Sequence, residues 1–238
     1  MNYKVLITTS GIGSRLKELT KDTNKALVEI NGKATLSYVI GAYPKEVPIV
    51  VTLGYYGDHV QKFLEENYPD RKFEFVTIDN YAGEGSSLGY SMLQTKDNLQ
   101  CPFVFHACDT IVVEKIPAPD QNWIAGYVAD KDTTDLQWEQ YRTHKVEEGK
   151  VLRLNDKGDP DFESIHIGLT GVKDYADFWS TLESLYNSDP SSSGWSDVHV
   201  VNTMIQNGNK FEWIPYKVWL DTGNMEALKK AGDYLANN

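Results

Sequence analysis

Short, unbroken apolar runs recur along the chain, separated by stretches whose apolar positions fall three or four residues apart. The first pattern predicts strands buried on both faces and the second predicts amphipathic helices. A first strand is expected over 1–8, through Val5, Leu6 and Ile7, and the chain then breaks at Ser10, Gly11, Ile12, Gly13 and Ser14. A helical piece is expected over 15–20 and a short strand over 26–30, turned by Asn31 and Gly32. Leu36, Val39, Ile40 and Tyr43 mark a helix over 34–43, which Pro44 ends. The run PIVVTL at 48–53 predicts a central strand, and 58–67 a helix with Val60, Phe63 and Leu64 on one face. A strand over 73–78, a polar glycine-rich loop over 79–89 and a helix over 86–99 follow. The run PFVFHA at 102–107 is another buried strand, leading straight into Cys108, Asp109 and Thr110.

The middle is less regular. A strand is expected over 123–129, a charged turn over 130–135, paired strands over 141–146 and 150–154, and a further strand over 164–172. Helices over 175–186, 198–207 and 225–235 close the chain, with short strands in 211–219 and a turn at 220–223. Strands alternating with helices predict the α/β class: a Rossmann-like three-layer sandwich around a mixed, mainly parallel central sheet. In such sheets ligands sit outside the carboxyl ends of the strands. No repeat or linker divides the 238 residues, so 1–238 reads as a single domain.

The net charge of −11 disfavours a nucleic-acid partner, whose phosphates need a basic surface. It leaves small phosphate ligands open, because a few local cations and a divalent metal suffice for those. No apolar run reaches the roughly 18 residues of a membrane span, and no secretory leader is visible, so a cytoplasmic protein is expected. Cys101 and Cys108 read as core thiols rather than a disulfide or a metal site.

A strand, a glycine turn and a helical piece present backbone N–H groups to phosphate, with Arg15 and Lys25 adding charge. The turn is not a Walker loop, since no Gly-Lys-Ser/Thr follows, and Leu16 stands where a dinucleotide fingerprint wants glycine or alanine. Asp109 ends an apolar strand and Asp221 follows Trp219 and Leu220. Each carboxylate reads either as a turn or cap residue or as a Mg²⁺ ligand at one sheet edge. His106 reads as a core or supporting residue. Tyr55, Tyr56, Tyr141 and Trp195 are aromatic candidates for a ligand pocket, with none singled out.

Several motifs in order resemble the sugar-1-phosphate nucleotidyltransferases: SGIGSRL at 10–16, Leu19 and Thr20, NKALV at 24–28, FHACDTIV at 105–112 and VWLDTGNMEAL at 218–228. The resemblance implies transfer of NMP from an NTP (CTP, GTP, UTP or dTTP) to a sugar phosphate or related phosphomonoester, with Mg²⁺ as cofactor and pyrophosphate as leaving group. It implies that Thr9, Ser10, Gly11, Ile12, Gly13 and Ser14 bind the nucleotide, with Arg15 on its β- and γ-phosphates, and that Lys25 bridges the α-phosphate and the acceptor. Asp109 and Asp221 would hold the metal. Glu84, Gly85, Ser86 and Ser87 would lie near the base, with Gly85 letting the ring approach, and Lys157 and Gly168 near the acceptor. The sequence departs from the family at Thr9 and Ser10, at Asn24 before Lys25, and at Asp156-Lys157-Gly158 where many members have Glu-Lys-Pro. A role in nucleotide-sugar or cell-surface polysaccharide synthesis, and a homo-oligomer, are compatible with the resemblance. The competing reading is a catalytically inactive nucleotide-binding subunit on the same fold, against which the retained Arg15, Lys25, Asp109 and Asp221 argue.

Overall fold

The computed structural model describes residues 3–128 and 136–238. The charged turn expected over 130–135 lies outside the described residues, as do 1–2 and 129 from two of the expected strands.

The apolar runs form the strands expected of them. β1 (Lys4–Thr8) and β4 (Ile49–Leu53) are buried almost throughout, as is β6 (Phe103–Ala107). α1 (Thr35–Gly41) and α2 (Gly57–Asn67) connect β1, β4 and β5 (Phe73–Thr77). These four strands run parallel in the order β5-β4-β1-β6. β11 (Ser164–Val172) pairs antiparallel to β6 and carries the sheet onward. Beyond it lie β8 (Trp123–Tyr127), then β12 (Glu212–Tyr216), β10 (Lys150–Asn155) and β9 (Thr143–Glu147). β8 and β12 are parallel, and the other pairings in this half are antiparallel, so the nine-stranded sheet is mixed.

Successive strand residues face opposite sides, and the core divides accordingly. Val5, Ile7, Ile49, Val51 and Val104 pack with residues of α1 and α2 on one face. Leu6, Val50, Phe103 and Phe105 meet α3 (Leu88–Leu93), α4 (Tyr175–Ser188) and α5 (Asp197–Gln206) on the other. That gives helix, sheet and helix layers. Among the described residues no helix is long and apolar enough to cross a membrane.

Three local expectations change. Residues 15–20 are a 3-10 stretch, Ser14–Thr20, broken at Lys17 with φ 51° and ψ −119°. Only Leu16 and Thr20 are buried there, too little apolar surface to hold a regular helix this short. The strand expected over 26–30 survives only as β2 (Glu29–Ile30), which pairs with β3 (Lys33–Ala34). Before it, Lys25–Leu27 is a 3-10 turn capped by Asn24, whose side-chain oxygen accepts from the Ala26 N–H. The helix expected over 86–99 is α3 followed by a separate 3-10 turn, Lys96–Leu99.

β7 (Thr110–Val112) and β13 (Trp219–Asp221) form their own antiparallel ribbon at the carboxyl edge of the sheet. α6 (Met225–Asn237) covers this ribbon, and Ala231 packs with Ile30, Ile111 and Leu220 in a small third core.

Candidate active site

The chain leaves β1 into the 9–15 loop, which is fastened from behind. Thr9 is fully buried; its hydroxyl donates to the Thr52 carbonyl and its N–H donates to the Thr52 hydroxyl at 3.1 Å. The Ser10 and Ser91 hydroxyls lie 3.0 Å apart, and the Tyr55 N–H donates to the Ser10 carbonyl. The Asn24 amide donates to the carbonyls of Thr9 (2.8 Å) and Tyr55 (2.6 Å). Gly13 has φ +70°, and a Cβ there would lie 2.7 Å from Lys25 Cβ. The turn is therefore built to lie directly against the Lys25 stem. Gly11 meets nothing on its open side, and Ile12, Ser14 and Arg15 are exposed.

Lys25 crosses to Asp109, Nζ to Oδ2 at 2.9 Å, with the side chains 21% and 19% exposed. Burial works against the Lys25 charge, but the Asp109 carboxylate outweighs it and raises the Lys25 pKa. In turn burial works against the Asp109 charge, and Lys25 outweighs it and holds Asp109 below its ordinary range. Asp221 arrives on β13, paired with Thr110 on β7, and the Thr222 N–H donates to the Asp109 carbonyl at 2.9 Å. The ribbon thus places both aspartates side by side. The Asp221 pKa is raised, first by burial and then by the Asp109 charge. Its Oδ1 accepts from the Gly223 N–H at 2.8 Å and its Oδ2 from the Tyr141 hydroxyl at 2.7 Å. The Arg15 guanidinium sits against Gly223, where a Cβ would lie 2.9 Å from Nη2.

A cavity of about 350 Å³ opens beside this cluster, lined by Ser10, Gly11, Lys25, Ser86, Ser87 and Asp109 among others. Ser87 also caps α3 by accepting from the Tyr90 N–H, so the capping and site-lining readings coexist. Gly85 has φ +75°, and its missing Cβ faces the Pro190 carbonyl at 3.0 Å; that space belongs to the 188–193 loop rather than to a ligand ring. Glu84 is exposed, and its carbonyl accepts from the Asn80 amide. A second cleft of about 460 Å³ runs from Asp221 past Tyr141, Tyr127, Trp219 and Tyr234.

On the far side, Lys157 is exposed, with its pKa lowered by desolvation and then by the charges of Arg15 and Arg142. Gly168 lies in the irregular part of β11, facing Ala107 at the end of β6. Tyr55 and Tyr56 brace the loop through the Thr20 and Lys21 carbonyls, and Trp195 donates to the Asp189 carbonyl, so of the aromatic candidates Tyr141 is the one bonded to an aspartate of the cluster. His106 is a core residue as expected. It lies between the Tyr43 hydroxyl and the Thr110 carbonyl, and burial pushes its pKa down to about 4. Asn24 and Tyr141 carry more of the local architecture than the sequence suggested, and Arg142, just before β9, is a partly buried cation that it did not single out. Asn24 was visible as a departure from the family pattern.

No family model matches the chain. A stretch of 107 residues, 44% of the chain, is 33% identical to choline-phosphate cytidylyltransferase of Streptococcus pneumoniae and covers 44% of that protein, so the match spans under half of this relative. UTP–glucose-1-phosphate uridylyltransferase AglF of Haloferax volcanii is 21% identical over 254 aligned positions, covering 98% of the chain and 96% of the relative. Among solved structures, the inositol-1-phosphate CTP transferase from T. maritima superposes with a TM-score of 0.76 at 16% identity, covering 98% of this chain and 94% of that one. At that identity the superposition shows a shared fold. Sequence and fold together make the chain a relative of the sugar-1-phosphate nucleotidyltransferases.

Proposed function

We propose that residues 1–238 act as one catalytic unit, a nucleotidyltransferase that moves NMP from an NTP to a small phosphomonoester and releases pyrophosphate. One observation carries this reading: the Lys25–Asp109 pair, Asp221 and Arg15 converge beside the cavity at the carboxyl ends of β1 and β6. A phosphomonoester oxygen is ionised at neutral pH and needs no general base. The protein's task is to align two anions and screen their charge. In this reading the 11–14 N–H groups and Arg15 hold the leaving pyrophosphate, Lys25 steadies the α-phosphate, and Ser86 and Ser87 border the nucleoside. Lys157 and Gly168 border the acceptor.

The carboxylates suit a hard dication. Burial and then the Asp109 charge raise the Asp221 pKa, so a cation held by these residues would relieve a repulsion already present. Among the described residues no group of three or more potential ligands exists, so Mg²⁺ would take its remaining oxygens from phosphate and water. The ion, held by Asp109 and Asp221, would supply charge neutralisation at the reacting phosphates. A cytoplasmic setting with ready NTP, and a place in nucleotide-sugar or cell-surface polysaccharide synthesis, fit the same reading. The assembled cluster favours it over an inactive subunit.

The test is pyrophosphate release with Mg²⁺, each of CTP, GTP, UTP and dTTP, and a panel of phosphomonoesters. CTP and UTP come first, since the relatives are named as cytidylyl- and uridylyltransferases. Release with one pair, lost in Asp109→Ala, supports the enzyme. Nucleotide binding without release under any pairing refutes it.

A further inference from the structure

Arg142 carries a buried, unpaired donor near the cluster. It immediately precedes β9, and its backbone is fixed there by the His166 N–H, which donates to the Arg142 carbonyl at 2.9 Å. Its Nε is buried and has no hydrogen-bond partner. Among the described residues the carboxylate paired with it is Asp156, 3.8 Å away and 92% exposed, too far for a hydrogen bond and too solvated to hold the guanidinium. The Arg142 side chain is itself only 28% exposed. A guanidinium shielded this far ordinarily finds an acceptor, because an unpaired buried donor is costly.

Among the described residues no acceptor meets Arg142 Nε, which leaves that acceptor to come from outside. Asp156, 3.8 Å from Arg142, is the chain neighbour of Lys157, and Tyr141, the residue before Arg142, bonds Asp221 at 2.7 Å, so Arg142 and Lys157 lie together on the Asp221 side of the cluster. His199, near the start of α5, has its pKa lowered by burial and then by Arg142, and therefore brings no countercharge. Asp197, the other acid at that helix start, is 3.1 Å from His166 Nε2 and is already engaged. In a chain of net charge −11, two neighbouring cations with so little countercharge mark a place suited to anions. In the proposed function Arg15 and Lys25 account for the triphosphate and Lys157 borders the acceptor. Arg142 has no role in it.

We propose that Arg142 reads a second oxyanion, on the body of the acceptor, so that the preferred substrate is a phosphomonoester that also bears a carboxylate or another phosphate. The planar fork of Nε and Nη suits a carboxylate in two-point contact, which neither a sugar hydroxyl nor a trimethylammonium group reproduces. This rests on the acceptor side of the proposed function, and the test keeps the two apart.

Pyrophosphate release is measured with phosphoglycerate, glycerol bisphosphate, glucose-1-phosphate and phosphocholine as acceptors. The first two separate a carboxylate from a second phosphate. The wild type is expected to favour an acceptor with an anionic body by about 10-fold or more in kcat/KM. Arg142→Gln raises the acceptor KM by about that factor, leaves the NTP KM and Tm nearly unchanged, and erases the preference. Arg142→Lys recovers part of it. A wild type that prefers glucose-1-phosphate or phosphocholine overturns the inference, as does an acceptor KM untouched by Arg142→Gln. If no acceptor is turned over, the proposed function fails, and calorimetric binding of phosphoglycerate still decides this inference. A Kd that weakens about 10-fold in Arg142→Gln upholds it, and equal or absent binding in both proteins overturns it.

Discussion

Asn24→Ala is the substitution from which the loop geometry has most to lose. The Asn24 side chain is fully buried and makes three hydrogen bonds: to the Thr9 carbonyl at 2.8 Å, to the Tyr55 carbonyl at 2.6 Å, and from the Ala26 N–H at 2.9 Å. Each net contribution is about 1 kcal/mol, and the alanine leaves all three backbone partners orphaned, so the loss is about 3 kcal/mol. For a chain of this size that lowers Tm by about 6–12 °C, read by scanning calorimetry. NTP binding weakens as well, because the carbonyl that starts the phosphate loop and the turn that presents Lys25 lose their common tie. Asn24→Asp sharpens the test. The carboxylate can still accept from the Ala26 N–H, but it faces two carbonyl oxygens in a buried site. Its folded-state pKa is therefore raised, and its stability is greatest at low pH and falls as pH rises. Asn24→Ala has no such group and shows no such recovery on acidification. A Tm drop below about 2 °C in Asn24→Ala would refute the account of Asn24 as a strut.

Lys25→Met should reduce kcat by about 100-fold while changing the NTP Kd by less than about 10-fold, because its amine serves developing charge more than ground-state binding; equal losses in both would mean that it serves binding instead. His106 is fully buried with a pKa pushed down to about 4, so it stays neutral in the folded chain while the unfolded chain takes up a proton below about 6.5. Stability contributed by neutral His106 is thus lost as pH falls from about 6.5 towards 4, by about 1.4 kcal/mol per pH unit. Urea unfolding at several pH values in that window should show a flatter slope in His106→Gln, and an unchanged slope contradicts the assignment. EDTA should abolish pyrophosphate release and Mg²⁺ restore it. Tyr141→Phe, which removes the 2.7 Å hydrogen bond to Asp221, should raise the half-activating Mg²⁺ concentration about 10-fold, and an unaltered Mg²⁺ requirement would release Tyr141 from that supporting role.

The parallel half of the sheet was legible because its central strands are buried on both faces, and that condition writes an unbroken apolar run such as Ile49–Leu53. α2 and α6 were legible for the complementary reason, a periodic apolar stripe over a solvated face. The glycine loop after β1 was readable from its glycines and cations, but its support was not. Asn24 reaches Thr9 and Tyr55 across the fold, and no local pattern records such a bond. The 3-10 stretch at Ser14–Thr20 was misread because helix and tight turn share the same short-range spacing, and the difference lies in how little of it is buried. Asp109 and Asp221 were each visible at the end of an apolar run. Their meeting depends on the pairing of β7 with β13, which only the folded chain supplies. Arg142 gave no signal, since its significance lies in the absence of a partner.

The β7–β13 ribbon also sets a timetable. The Thr222 hydroxyl reaches the Asp109 carbonyl across 113 residues of sequence, and α6 then seals the ribbon against Ile30 and Ile111. As the chain leaves the ribosome, β1, the phosphate loop, Lys25 and Asp109 emerge and can collapse together while β13 has yet to be made. At that stage Lys25 and Asp109 can neutralise each other, and Asp109 has no Asp221 beside it. The second carboxylate arrives only with β13, so the site comes into being only after that strand is made. Closing so long a loop also places this step among the slow ones in folding. A nick between α5 and β13 would act on the same joint, separating the strand that brings Asp221 from the sheet that holds Asp109.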